Sequence, residues 1–173
     1  MESRFGVDFL ATVTNAWEAE VDEVEKLGIR TAKLRIGIVL SEKGGALKEL
    51  TKPIKLGAGA GLGSGDQYMS WIHINDLSHM FVHAIESDGV SGIYNAVAPN
   101  PETNKELSRK AAKVLGKPFF LPNVPAFVMK LMLGEMASMV LGGSRVSCEK
   151  IQSTGFKFLY EELNPALKDL LGN

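Results

Sequence analysis

Side chains that could do chemistry crowd into one stretch of this chain, Gln67-Tyr-Met-Ser70-Trp71-Ile-His73. An amide, a hydroxyl, an indole and an imidazole at this density suit a small-molecule cleft, where a few placed polar groups stand among apolar walls. Trp71 offers a face on which a base or sugar could stack. Gln67, Ser70 and His73 could orient hydroxyl or phosphate oxygens. Packing within the fold is the competing reading of each. The stretch is fed by a glycine ladder, with Gly57, Gly59, Gly61, Gly63 and Gly65 at every second position. Ordering glycine costs backbone entropy, so the ladder points to a chain that bends sharply or approaches something closely.

By pattern the ladder is not a nucleotide-phosphate loop. A dinucleotide fingerprint needs glycines at its first, third and sixth places. Counted from Gly57, Gly59 and Gly61, the sixth places hold Leu62, Ser64 and Asp66. The P-loop's Gly-Lys-Ser/Thr is missing too, since Gly116-Lys117 runs into Pro118. A tight loop, or a loop bordering a cleft, remains. His79 and His83 stand four apart, a spacing that can hold zinc. The glutamate that a metalloprotease helix places directly after its first histidine is Met80 here, and no metal is expected. Met129, Met132, Met136 and Met139 recur at helical spacing and read as gap-filling core. Glu135 among them needs a partner if buried, with Arg145 a candidate.

Helical and strand periods supply the scaffold for these groups. Asp8 caps a helix that Gly28 ends, with Phe9, Leu10, Val13, Ala16, Trp17, Val21, Val24 and Leu27 on its inner face. Residues 31–40 read as one buried strand, Ala32, Leu34, Ile36, Ile38 and Leu40 sharing a face and Arg35, Gly37 and Val39 the other. A helix is expected near 46–55, then a strand over 70–74. Asn75 caps the next helix, with Leu77, Met80, Phe81, Ala84 and Ile85 inward. A strand over 93–97 follows. Thr103-Asn-Lys-Glu106 fits a capping box opening a helix that ends at Gly116. A methionine-rich helix runs to Leu141, then a short helix near 148–153, a strand near 156–159 and a last helix opened by Asn164-Pro165.

Composition narrows the class. The chain has 173 residues, 45% hydrophobic, which suits one domain or one domain with a small lobe. Its net charge of -1, from 19 basic and 20 acidic side chains, argues against a nucleic-acid or anionic-membrane surface. A single cysteine, Cys148, fits a reducing compartment, and no run of apolar residues is long enough to span a bilayer, so a cytoplasmic protein is expected.

The order of LRIGIVL (34–40), GGAL (44–47), LGSGDQYMSWIHINDL (62–77), GIYNAVAPNPETNKEL (92–107), GEMASMVL (134–141) and GFKFLYEELNPAL (155–167) resembles one family. It is that of the atypical extended short-chain dehydrogenase/reductases, the nucleoside-diphosphate-sugar epimerases and cell-division-inhibitor homologues. The resemblance covers nearly all of this chain but only the C-terminal part of the family's length. It implies an α/β fold of Rossmann type. Residues 1–41 would be a remnant of the dinucleotide-binding domain, its last helix-strand pair. Residues 42–173 would be the substrate lobe, with return strands to the Rossmann sheet.

The family's first half carries the glycine-rich turn that holds the cofactor pyrophosphate, so NADP or NAD belongs to the complete parent and none is expected to bind this chain alone. Ordinary members use Tyr-x-x-x-Lys on the helix resembling residues 8–27. If Glu18 matches the family's usual glutamate, the Tyr and Lys places are Leu10 and Thr14. No catalytic residue is therefore assigned. The resemblance places Arg35, Gly37, Ile38 and Val39 beside the nicotinamide, and Gln67, Ser70, Trp71 and His73 facing a small-molecule substrate such as a nucleotide sugar. The function expected is the substrate side of an NAD(P)-linked epimerase or reductase-like protein, catalytically silent by itself. The alternative is a non-catalytic binding or protein-interaction module. The strand over 31–40, deprived of sheet neighbours, invites a second copy or a separate N-terminal half.

Overall fold

The computed structural model describes residues 9–134 and 141–172. The first helix, α1 (Phe9–Lys26), stops where expected, with the Gly28 N–H donating to Glu25 O at 2.9 Å; the Asp8 cap lies outside the described residues. Its apolar stripe does not turn wholly inward. Trp17 is 70% exposed and Leu27 77%. Among the described residues, charged groups tie α1 to β1. The Arg35 guanidinium forks onto Glu18, Nε to Oε1 and Nη2 to Oε2, both at 2.7 Å, and Lys33 pairs with Asp22 and donates to Glu18 O.

Residues 31–40 do not make one strand. β1 (Ala32–Ile36) ends at Gly37, where the chain changes partner. β2 (Ile38–Leu40) joins Trp71–His73, with Ile38 opposite Trp71 and Leu40 opposite His73. β1 instead joins Gly92–Ala96, with Ala32 opposite Gly92 and Ile36 opposite Ala96. The Gly37 N–H donates to Ala96 O at 3.1 Å and the next N–H, of Ile38, to Ser70 O at 2.8 Å. A Cβ at position 37 would lie 2.3 Å from Ser70 O and 2.6 Å from Val97 Cγ1. The alternating apolar pattern hid this break, and Ile36, expected on the buried face, is 48% exposed.

The remaining elements are α2 (Gly45–Lys55), β3 (Tyr68–Met69), β4 (Trp71–His73), α3 (Ile74–Glu86), β5 (Gly92–Ala96), β6 (Glu102–Thr103), α4 (Asn104–Val114), α5 (Ala126–Leu133), α6 (Glu149–Gln152) and α7 (Leu163–Leu171). β3 and β6 pair antiparallel. Successive strand residues face opposite ways, and β4 is covered on both sides. Trp71 enters a core built by α2, α4 and α7, with Leu47, Ile54, Leu107, Ala111, Leu163 and Leu167. Ile72 enters a second core with Leu77, Met80, Tyr94, Ile151, Phe156 and Phe158. The C-terminal third therefore builds part of both cores.

Several local expectations change. His73, not Asn75, caps α3, its Nδ1 accepting from the Asn75 N–H. Phe81 (46% exposed) and Ile85 (72%) face outward, because the inward stripe is Leu77, Met80 and Ala84. Arg30 closes the other end of α3, donating to Ala84 O, Ile85 O and Val90 O, a cation where the helix dipole favours one. No strand forms over 156–159; Phe156 and Phe158 are held by packing rather than a ladder. α7 starts with Glu162 in the cap position, putting Asn164 and Pro165 inside its first turn. Thr103 caps α4 as expected, its Oγ1 accepting from the Glu106 N–H at 3.3 Å. Glu135, Met136 and Met139 lie outside the described residues, as does any Glu135–Arg145 pair.

The glycine ladder is a zip between segments. Gly59 and Leu62 make parallel bridges to Phe119 and Val124. A Cβ on Gly59 would sit 2.7 Å from Pro118 O, and one on Gly61 2.6 Å from Asn123 Oδ1. Close approach of a second backbone is the reason for the glycines there.

Candidate functional site

Of the sequence-selected residues, Gly37, Ile38 and Ser70 meet where the two parallel strand pairs join. Gly37, Ile38 and Val39 leave the carboxyl end of β1, and Ile38 binds the backbone of Ser70. In open α/β sheets ligands gather outside the carboxyl ends of the strands, which here are Ile36 and Ala96. Across this junction runs an extended strap, residues 143–147. The Ser70 hydroxyl donates to Ser144 O at 2.6 Å and accepts from the Val146 N–H at 3.1 Å. Asn95, opposite Arg35 in the β1–β5 register, donates its Nδ2 to Ser147 O at 3.0 Å. Gly143 lies against the Tyr68 backbone, where a Cβ would be 2.3 Å from Tyr68 O. The strap was not foreseen; a glycine pair followed by Ser-Arg-Val-Ser has no period to read.

The eight residues do not share one role. Trp71 has no open face: it is fully buried and its Nε1–H donates to Asn100 O at 2.9 Å. The expected stacking platform is a core anchor in this structure, because β4 is covered on both faces. His73 is likewise fully buried. Its Nδ1 accepts from a backbone N–H, so the proton sits on Nε2, which donates to Asp169 Oδ2 at 3.2 Å. The ring stacks on Tyr160 with centroids 3.9 Å apart. Burial pushes the imidazole below its ordinary pKa, against the pull of Asp169 and Asp76. Buried Asp76 in turn accepts from the N–H groups of Leu159 (2.7 Å) and Tyr160 (3.0 Å). This network fastens α7 and the 156–160 segment to the start of α3.

Gln67 is half-buried and donates to Leu62 O at 2.9 Å. Arg35 is committed to Glu18, whose carboxyl its hydrogen bonds hold below the ordinary range. Two clefts lie elsewhere. One of about 250 Å³ sits between α2 and α7, lined by Glu42, Lys48, Thr51, Lys55 and Leu170 among others. One of about 460 Å³ is lined by Lys105, Arg109 and residues 119–123, beside the glycine zip. Neither is lined by the Gln67–His73 stretch.

Comparison with known proteins places this geometry. Residues 124–170 match the family model described as "Domain of unknown function (DUF1731)". The epimerase family protein YfhF of Bacillus subtilis (strain 168) is 40% identical over 166 residues, covering 96% of this chain and 54% of that protein. The chain is homologous to the epimerase family proteins. It spans about half the length of the curated relatives it matches. The human epimerase family protein SDR39U1 (isoform2), solved with NADPH, superposes with a TM-score of 0.90 at 34% identity, over 99% of this chain and 58% of that one. The nucleoside-diphosphate sugar epimerase from Corynebacterium glutamicum gives 0.77 at 29% identity, over 99% of this chain and 32% of that one. The fold is thus α/β of the Rossmann-type epimerases, and corresponds to their C-terminal part. The strap, α6 and most of α7 fall within the segment of unknown function. Among the described residues no helix is long and apolar enough to cross a membrane.

Proposed function

We propose that this chain is the substrate-side portion of an NAD(P)-linked nucleoside-diphosphate-sugar epimerase or reductase-like cytoplasmic protein, and that it is catalytically silent by itself. The observation that carries the reading is the change of partner at Gly37, which sets the carboxyl ends of β1 and β5 against Ser70 and the strap. Residues 1–41 act as the edge of the dinucleotide-binding domain and 42–173 as the substrate lobe. Arg35, Gly37, Ile38 and Val39 form one wall of the nicotinamide site. Gln67 and Ser70 stand on the substrate side, with Trp71 and His73 as the buried floor that fixes them.

The residues present suit a wall and not a cradle. The chain has no dinucleotide fingerprint, and Arg35 is already forked onto Glu18. When bound, the nicotinamide would supply the hydride chemistry; this chain's part is to orient the substrate and exclude water. Leu10 and Thr14, at the places of the family's Tyr and Lys, cannot move a proton. That absence favours a second reading, a non-catalytic ligand-binding or interaction module. The outer edge of β1, which pairs on one side with β5, is the place for a second copy or a separately made N-terminal half.

Calorimetric titration with UDP-glucose and with NADPH tests the reading. It predicts UDP-glucose binding and no NADPH turnover. Turnover of NADPH by the purified chain overturns its silence, and binding of neither compound overturns the substrate-lobe assignment.

A further inference from the structure

Arg145 stands on a backbone held from both sides, and among the described residues its guanidinium meets no carboxylate. The two hydrogen bonds of the Ser70 hydroxyl fall on Ser144 and Val146, the residues flanking it. Beyond them the strap is fixed by the close packing of Gly143 on Tyr68 and by the Asn95 bond to Ser147. The exposed Arg145 side chain lies over the Tyr68 ring, 5.8 Å from its centroid, and among the described residues it meets no carboxylate within ion-pair distance. Each other arginine of the described region is committed: Arg30 to three carbonyls, Arg35 to Glu18, Arg109 to Glu106. An arginine loses much side-chain freedom when it is fixed, and stacking on an aromatic face is one way of fixing it in advance. What remains is a planar fork of donors, shaped for two oxygens of a phosphate or carboxylate.

Position gives the fork its use. Ser70, which brackets it, binds Ile38 at the carboxyl end of the β1–β5 pair. We infer that Arg145 is the anion anchor of this junction and takes the phosphate or carboxylate oxygens of a ligand lying across the carboxyl ends of β1 and β5. Ser70 is a positioning residue that sets the strap. The inference rests on the junction being the ligand site, and it assigns a binding role within the segment of unknown function.

The test is a titration of the nitrogen-15-labelled chain, followed at the arginine Nε–Hε and backbone amide resonances, with sodium pyrophosphate, sodium malonate and UDP-glucose as separate probes. Pyrophosphate or malonate is expected to move the Arg145 Nε–Hε signal together with the Tyr68 and Val146 amides, and the stronger of the two names the oxyanion. Arg145→Gln weakens that binding about tenfold or more, the loss of a charge-assisted contact. Arg145→Lys retains charge but not the fork and falls between. Ser70→Ala keeps the charge, frees the strap and weakens binding at unchanged net charge, with its melting point measured alongside. If neither anion moves Arg145, or Arg145→Gln binds as well as the parent, the anchor is wrong. If UDP-glucose moves residues 37–39 and 67–70 equally in parent and Arg145→Gln, the junction stands and the anchor falls. If pyrophosphate engages Arg145 while UDP-glucose adds no shift beyond it, the anchor stands and the nucleotide-sugar reading falls.

Discussion

Gly37→Ala tests the junction on which the site is built. The added methyl would meet Ser70 O at 2.3 Å and Val97 Cγ1 at 2.6 Å. Val97 can shift a side chain, but Ser70 O is backbone and already accepts the Ile38 N–H at 2.8 Å. Overpacking of this kind costs about 1–3 kcal/mol, and weakening the Ile38–Ser70 bond adds about 0.5–1.5 kcal/mol. Alanine returns about 0.4–1 kcal/mol by restricting the unfolded chain. The net loss is about 0.5–4 kcal/mol, which at this size lowers the melting temperature by roughly 2–4 °C per kcal/mol. Gly89→Ala is the control, since nothing lies within 4 Å of its Cβ position. Melting followed by circular dichroism should show Gly37→Ala below the parent and Gly89→Ala level with it or slightly above. A Gly37→Ala protein that melts with the parent would mean that β1 and β2 do not part over Ser70.

Other perturbations probe the supports. Asp76→Ala strands the Leu159 and Tyr160 N–H groups in a buried place and should cost about 2–4 kcal/mol in urea unfolding, with Asp76→Asn losing less because one acceptor remains. His73 binds its proton less readily folded than unfolded, since burial lowers its pKa from 6.5. Stability is therefore full above that pH and falls as pH drops through 6.5 toward the folded value; urea midpoints at pH 7.5 and 5.5 should differ more in the parent than in His73→Asn. Gly61→Ala places a methyl 2.6 Å from Asn123 Oδ1, in a side chain that also donates to Ser64 O, so it should loosen the 118–124 segment. Faster amide exchange at Val124, whose N–H donates to Gly61 O, is the readout.

Helices with long apolar periods were legible in the residues: α1, α2 and α4 appear within a residue or two of expectation. Gly37 was not, because a glycine on an alternating strand looks the same whether the strand continues or changes partner. Trp71 and His73 were chosen by residue type, and type does not say which face of β4 is covered. That depends on α7, more than 85 residues away, whose Asp169 binds the imidazole. Phe156 and Phe158 alternate as a strand would, yet they fill a core beside α6, and the N–H groups that follow them, of Leu159 and Tyr160, go to the Asp76 carboxylate. The strap could not be read at all, since its position comes from hydrogen bonds to residues 74 and 76 places away, Ser70 to Ser144 and Val146. The pairing of Glu18 with Arg35 joins residues 17 apart, and only the return of β1 antiparallel to α1 brings them together.

Hydrogen–deuterium exchange of the chain with and without UDP-glucose tests the central claim most directly. The account predicts slowed exchange at residues 37–39, 67–70 and 143–147 together, with the clefts at 41–55 and 119–123 unchanged. Protection confined to either cleft, or none at the junction at saturating ligand, would contradict it.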